Sequence, residues 1–185
     1  MMAAMAAALT VAAEMKVGTV NMVDLVRLHP NHESNRTLVK TTDTEYKAKL
    51  DAKQEELKEI ADEGKKAQSD LQNPMLSTQA RAAAQKKLEG IQKRFLEGQQ
   101  DMRQMATRFQ GDLSDLESRL IKMETDDIRA KISAYAKEHG YDIIADSTIL
   151  AFAKESYDVT DEILKAMGVD PAKRKEKEKK DDAGK

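Results

Sequence analysis

The chain has 185 residues, of which 35% are charged and 4% aromatic, and its net charge is −2. That composition leaves little for a large compact core and suits an elongated, solvated helical protein. Near-balanced charge sets up no global field for nucleic acid or a membrane surface, and the absence of cysteine excludes disulfides, thiolate metal sites and thiol catalysis.

Residues 1–13 are an Ala/Met-rich apolar run with small residues at its end, Val11-Ala12-Ala13. It is too short to span a bilayer and reads as the remnant of an export signal, although the usual basic start is missing, with a disordered Ala-rich leader as the alternative. Residues 15–30 read as a short strand, 16–22, followed by a turn or two of helix over 23–29 that Pro30 stops.

Residues 32–139 read as one helical hairpin. Pro30, Pro74 and Pro171 are the only prolines, so a crease near 73–77 is the one place where proline breaks the pattern. Ser77 or Thr78 can cap the returning helix, or Asn73 can with Pro74 following it. Leu50, Leu57, Gly64 and Leu71 recur every seven residues in the outgoing arm, with Tyr46, Lys53, Ile60 and Ala67 between them. In the returning arm Leu88, Phe95, Met102, Phe109, Leu116 and Met123 keep the same period, interleaved with Ala84, Ile91, Gly98 and Met105. This is a coiled-coil seam. Folding the chain at the crease sets Gly64 opposite Leu88, Ile60 opposite Ile91, Leu57 opposite Phe95, Lys53 opposite Gly98 and Leu50 opposite Met102. Small residues then face large ones, as close packing requires. At 1.5 Å per residue the arms are roughly 60 and 90 Å long. The longer arm therefore outruns its partner beyond Leu120, where apolar positions shift to Ile128, Ile132 and Tyr135 and the helix enters a body.

Gly140 ends that helix. Two apolar runs follow, 141–146 and 149–153, readable as a strand hairpin, and then a helix over 160–167 with Asp161 and Glu162 in its first turn and Gly168 as its stop. Residues 141–168 with the N-terminal strand make a small β body, too marginal to stand alone and expected to need partner subunits. Residues 170–185, rich in Lys and Glu, read as a disordered charged tail.

Candidate sites are few. His29 and His32 are three apart with Pro30 between them, a poor metal pair. Asp142 and Asp146 share one strand face, yet no nucleophile or phosphate loop accompanies them. Phe95, Met102, Met105 and Phe109 could offer a client-binding surface, since methionine adapts to varied partners, but their spacing on the seam makes them hairpin core first. Met75 and Leu76 sit at the crease, where neither arm has a partner residue left, and are the client-binding candidates; the alternative is that they staple the turn. Gly90 and Gly111, off the seam, are places where the arms can bend.

Strand, short helix, long hairpin, strands and terminal helix, in that order, resemble the Skp/OmpH family of periplasmic chaperones. The resemblance is carried by Lys16-Val17-Gly18-Thr19-Val20-Asn21-Met22, by Tyr141-Asp142-Ile143-Ile144-Ala145-Asp146, and by Asp158-Val159-Thr160-Asp161-Glu162-Ile163-Leu164-Lys165-Ala166-Met167, and spans about residues 15–168. It implies a mostly α fold in which a long antiparallel coiled-coil hairpin, a tentacle, stands on a trimerising β body. It also implies a homotrimeric, ATP-independent periplasmic holdase for unfolded outer-membrane proteins, with no enzymatic activity and no cofactor. The acidic balance departs from the family's basic habit and argues against capture of anionic lipid or lipopolysaccharide. A structural coiled-coil spacer in the cell envelope is the alternative. It needs separated attachment points, whereas both chain ends are expected at one end of the hairpin.

Overall fold

A computed structural model describes residues 15–176, so the leader over 1–13 and the end of the tail lie outside the described residues. Two compact units form. Among the described residues one is built from 15–33 and 121–176; the other is Ser34–Leu120.

The second unit is the helical hairpin. Helix α2 (His32–Leu71) and helix α3 (Thr78–His139) supply its two arms. Between them Asn73 Oδ1 accepts the Met75 amide at 3.0 Å and Ser77 Oγ accepts the Ala80 amide at 3.2 Å. Asn73-Pro74 therefore makes the turn and Ser77 is the cap. Shielded positions recur at three- and four-residue steps along both helices, and Leu57, Ala67 and Ile91 are the most deeply buried side chains between them. Two helices alone cannot enclose more.

Small-against-large packing is present, but in a register one turn away from the sequence-derived pairing. Gly98 lies against Leu57, and a Cβ there would come within 2.7 Å of Leu57 Cδ2; Gly64 lies against Ile91 Cγ2. Tyr46 stacks on Phe109 with ring centroids 4.2 Å apart, and Arg94 is bonded to Glu63 across the arms. Leu57 was expected opposite Phe95 and Gly64 opposite Leu88. Seam positions recur every half heptad, so a one-turn slip still sets apolar on apolar. Met123, placed on the seam by strict seven-residue spacing, is instead 67% exposed. The shielded positions run Leu116, Leu120, Glu124 and Ile128, four-residue steps that carry the stripe off the heptad.

The other unit is the small α/β body. Strand β1 (Val17–Val20) pairs in parallel with strand β2 (Ile143–Asp146), Val17 facing Ile143 and Val20 facing Asp146. Parallel pairing needs a long crossover, and the chain between these strands contains both long helices. Helix α1 (Met22–Arg27) is capped by Asn21, whose Oδ1 accepts the Asp24 amide at 3.1 Å. Helix α4 (Thr160–Ala166) ends at Gly168, and α3 ends at Gly140; both glycines have positive φ, 76° and 67°, which a side chain would strain. Leu25, Ile128, Ile163 and Leu164 are fully buried at the centre of the core, with Val20, Val159 and Val169 around them and Ile132, Tyr135 and Ile144 packed on its margin. Gly18 is small because a Cβ would lie 3.0 Å from the Tyr141 ring.

Two expectations are corrected here. The strand hairpin of 141–146 with 149–153 does not form. Asp146 Oδ1 accepts both the amide and the hydroxyl of Thr148, at 2.9 and 2.8 Å, and turns the chain into a 3₁₀ segment, Ser147–Ile149. After it 151–153 has no strand, and β1 gains only a single bridge on its other edge, Thr19 to Asp158. The tail also begins ordered: Asp170 Oδ1 accepts the Ala172 amide at 2.9 Å and 172–176 form a helical turn.

Candidate client-binding surface

At the crease the two candidate residues part ways. Met75 is 89% exposed, whereas Leu76 is half-buried against the turn. The aromatic and methionine group Phe95, Met102, Met105 and Phe109 is half-buried, Phe109 under the Tyr46 ring. Beside it a groove of ≈ 420 Å³ opens between the arms, lined by Ile60, Gly64, Leu88, Ile91, Phe95 and Leu96. Leu96 is exposed on its rim. The seam is thin enough that its own residues line surface.

The polar faces of the hairpin are ion-paired. Lys47 bonds Asp43 at 2.6 Å, an i,i+4 pair, and Lys65 bonds Asp62 at 2.7 Å, an i,i+3 pair. That hydrogen bond holds the Asp62 carboxyl below its ordinary range. Lys49 lies over the Tyr46 and Phe109 rings, 5.5 and 5.9 Å from their centroids.

In the body, exposed apolar residues gather after β2. Ile149 and Phe152 are 79% and 81% exposed, and Val23 is exposed on α1. A groove of ≈ 890 Å³ lies in the same unit, with Val23, Val26, Ile132 and Ile149 on its apolar side and Arg27 and Arg129 among its polar lining.

His29 and His32 are not a metal pair. The Asn31 amide donates to His29 Nδ1 at 3.2 Å, which leaves Nε2–H to bond Asp127 Oδ2 at 3.2 Å. His32 Nδ1 lies 3.1 Å from Glu124 Oε2, and Glu124 is 3% exposed. These polar pairs to α3 were missed from sequence, since the partners are more than ninety residues away. Asp142 accepts the Lys16 amide at 2.7 Å and Asp146 caps the 3₁₀ segment, so the two carboxylates hold local structure. Among the described residues no group of three or more His, Asp or Glu is arranged to hold a metal, and no helix is long and apolar enough to cross a membrane. Tyr135 has its hydroxyl pushed above its ordinary range, first by burial and then by the neighbouring Tyr141.

The described residues thus combine a small α/β body, whose two strands pair in parallel, with a long creased helical hairpin. Residues 16–167 match the family described as Outer membrane protein (OmpH-like), and the chain belongs to that family. It is a family of periplasmic chaperones of outer-membrane proteins. No individual curated protein matches the chain significantly.

Proposed function

We propose that this protein is an ATP-independent holdase that binds unfolded outer-membrane proteins in the periplasm and keeps them from aggregating before outer-membrane assembly, acting as a homotrimer. The observation that carries the reading is the family match over 16–167 on a chain whose helices of 40 and 62 residues form a hairpin with so thin a seam. A surface of that kind holds a client through many weak contacts, so retention rests on differential affinity and no single residue is essential. Ile149, Phe152 and the groove beside α1 support association of copies through the body, because exposed apolar area of this kind marks an interface.

The test is suppression of aggregation of an unfolded barrel protein. The stacking of Tyr46 on Phe109 sets Leu50 opposite Met105, so excising 50–105 removes both arms in register. The intact trimer is expected to protect at about one trimer per client without nucleotide, and the armless trimer to lose protection. An intact trimer that protects nothing, or an armless one that protects equally, overturns the holdase reading and favours an envelope spacer.

A further inference from the structure

The family match ends at residue 167, yet the chain beyond it is built into the body. Val169 is in the core, and its amide donates to the Leu164 carbonyl at 2.9 Å. Asp170 and Pro171 then start a helical turn, a cap followed by proline at the first helical position. The turn directs Arg174 back onto the body. Its guanidinium donates Nε to Asp24 Oδ2 at 3.0 Å, and Nη1 to Asp158 Oδ2 at 3.0 Å and to Asp161 Oδ1 at 3.3 Å. Arg174 is 16% exposed and the Asp24 side chain 6%. Arg27 also bonds Asp24, at 2.7 Å, and Asp158 receives the Thr160 amide and hydroxyl. Thr160 Oγ1 in turn accepts the Asn21 amide at 2.9 Å.

Asp24 opens α1, whereas Asp158 and Asp161 flank the start of α4, and Asp24 is 150 residues from Arg174. Three carboxylates brought this close repel one another unless a cation lies between them. A planar guanidinium suits the place, since its separate N–H groups reach separate oxygens in fixed directions. The same charges on a lysine would sit on one point.

We propose that residues 169–176 are a C-terminal strap that latches the body closed, with Arg174 joining the segment that starts α1 to the segment that starts α4. The strap belongs to this chain's body and lies outside the shared family region. Its release loosens α1 and α4 together.

Hydrogen exchange on the full-length protein, read by mass spectrometry, tests this. In the unmodified protein, amides within 172–174 exchange slowly. Losing hydrogen bonds to charged groups is worth roughly tenfold or more in local opening, so Arg174→Gln is expected to speed exchange by that factor in the strap, α1 and α4. Arg174→Lys, which keeps the charge and the fold, falls between. Asp24→Asn combined with Arg174→Gln adds less than the two separate effects, because both remove one network. The proposal is overturned if the strap of the unmodified protein exchanges as an unstructured peptide, or if either Arg174 variant loosens the strap alone and leaves α1 and α4 unchanged.

Discussion

The contact of Gly98 with Leu57 can be tested by adding one methyl group. A Cβ at Gly98 would come within 2.7 Å of Leu57 Cδ2 and 3.8 Å of its Cγ, with Lys53 Cε at 3.9 Å. Non-bonded carbons essentially never come so close, and Leu57 is buried, so its Cδ2 must move or change rotamer at a cost of about 1–3 kcal/mol for overpacking. Against this, alanine gains about 1 kcal/mol over glycine within a helix. Gly98→Ala is therefore expected to be neutral or to destabilise the hairpin by up to about 2 kcal/mol. Gly90 and Gly111 are the control, since nothing lies within 4 Å of a Cβ at either; there alanine should stabilise by about 0.5–1 kcal/mol. The assay is site-resolved hydrogen exchange in α2 and α3, because a chain of two units need not unfold in a single step. If Gly98→Ala stabilises as much as Gly90→Ala, Leu57 either does not pack on Gly98 or swings its Cδ2 aside at no cost, and overpacking at Gly98 is refuted.

Further expectations come from the same geometry. Leu57→Ala should cost the hairpin about 2–4 kcal/mol of local stability, whereas Met123→Ala, at an exposed position, should be nearly neutral by the same exchange measurement. Cysteines at 57 and 98 should form an intramolecular crosslink faster than cysteines at 57 and 95; the reverse order would restore the sequence-derived pairing. Partial burial works to raise the Asp158 carboxyl, but the Thr160 hydroxyl and amide and Arg174 outweigh it and hold it below the ordinary range. Its contribution to the body is thus present above about pH 4 and is lost as pH falls through the lower folded value. Acid titration of body stability should show that loss, and Asp158→Asn should remove it. Met75→Ser with Leu76→Ser should weaken client protection only modestly; complete loss would place the binding site at the tip instead of along the arms.

Local grammar was legible in the sequence wherever one residue type carries one geometry. Pro74 located the crease, Ser77 was among the named caps, and Gly140 and Gly168 marked helix ends that need positive φ. Ile128, Ile132 and Tyr135 were recognised as leaving the coiled-coil pattern and do belong to the body's packing. Composition misled where a short signal was diluted. The run from Ile149 to Ala153 is apolar enough for a strand, but Asp146 followed by Ser147-Thr148 is capping chemistry and ends the strand first. Asp170-Pro171 is a helix start that the surrounding lysines obscured, and the role of Arg174 depends on carboxylates up to 150 residues away. At the candidate surface, sequence paired Met75 with Leu76 because both flank the crease, yet only Met75 projects from it.

The hairpin's register shows why apolar periodicity could not settle the pairing. In both registers a glycine faces a large side chain: Gly64 meets Leu88 or Ile91, and Gly98 meets Lys53 or Leu57. Polar contacts separate them. The sequence-derived register sets Glu63 beside Glu89, like charges, whereas the observed one brings Glu63 to Arg94. An exposed pair of that kind contributes at most about 1 kcal/mol. In the body, His32 reaches Glu124 and His29 reaches Asp127, pairs whose numbering follows the observed register and not the sequence-derived one. Glu124 is almost wholly buried, and a buried polar group constrains its partner's position more tightly than an exposed ion pair does. A slip of one turn would forfeit that contact while keeping nearly all the apolar ones. The histidine–carboxylate contact, with Glu124 buried where the Arg94–Glu63 pair is exposed, is therefore the tighter guide to the register, and it lies where α2 begins.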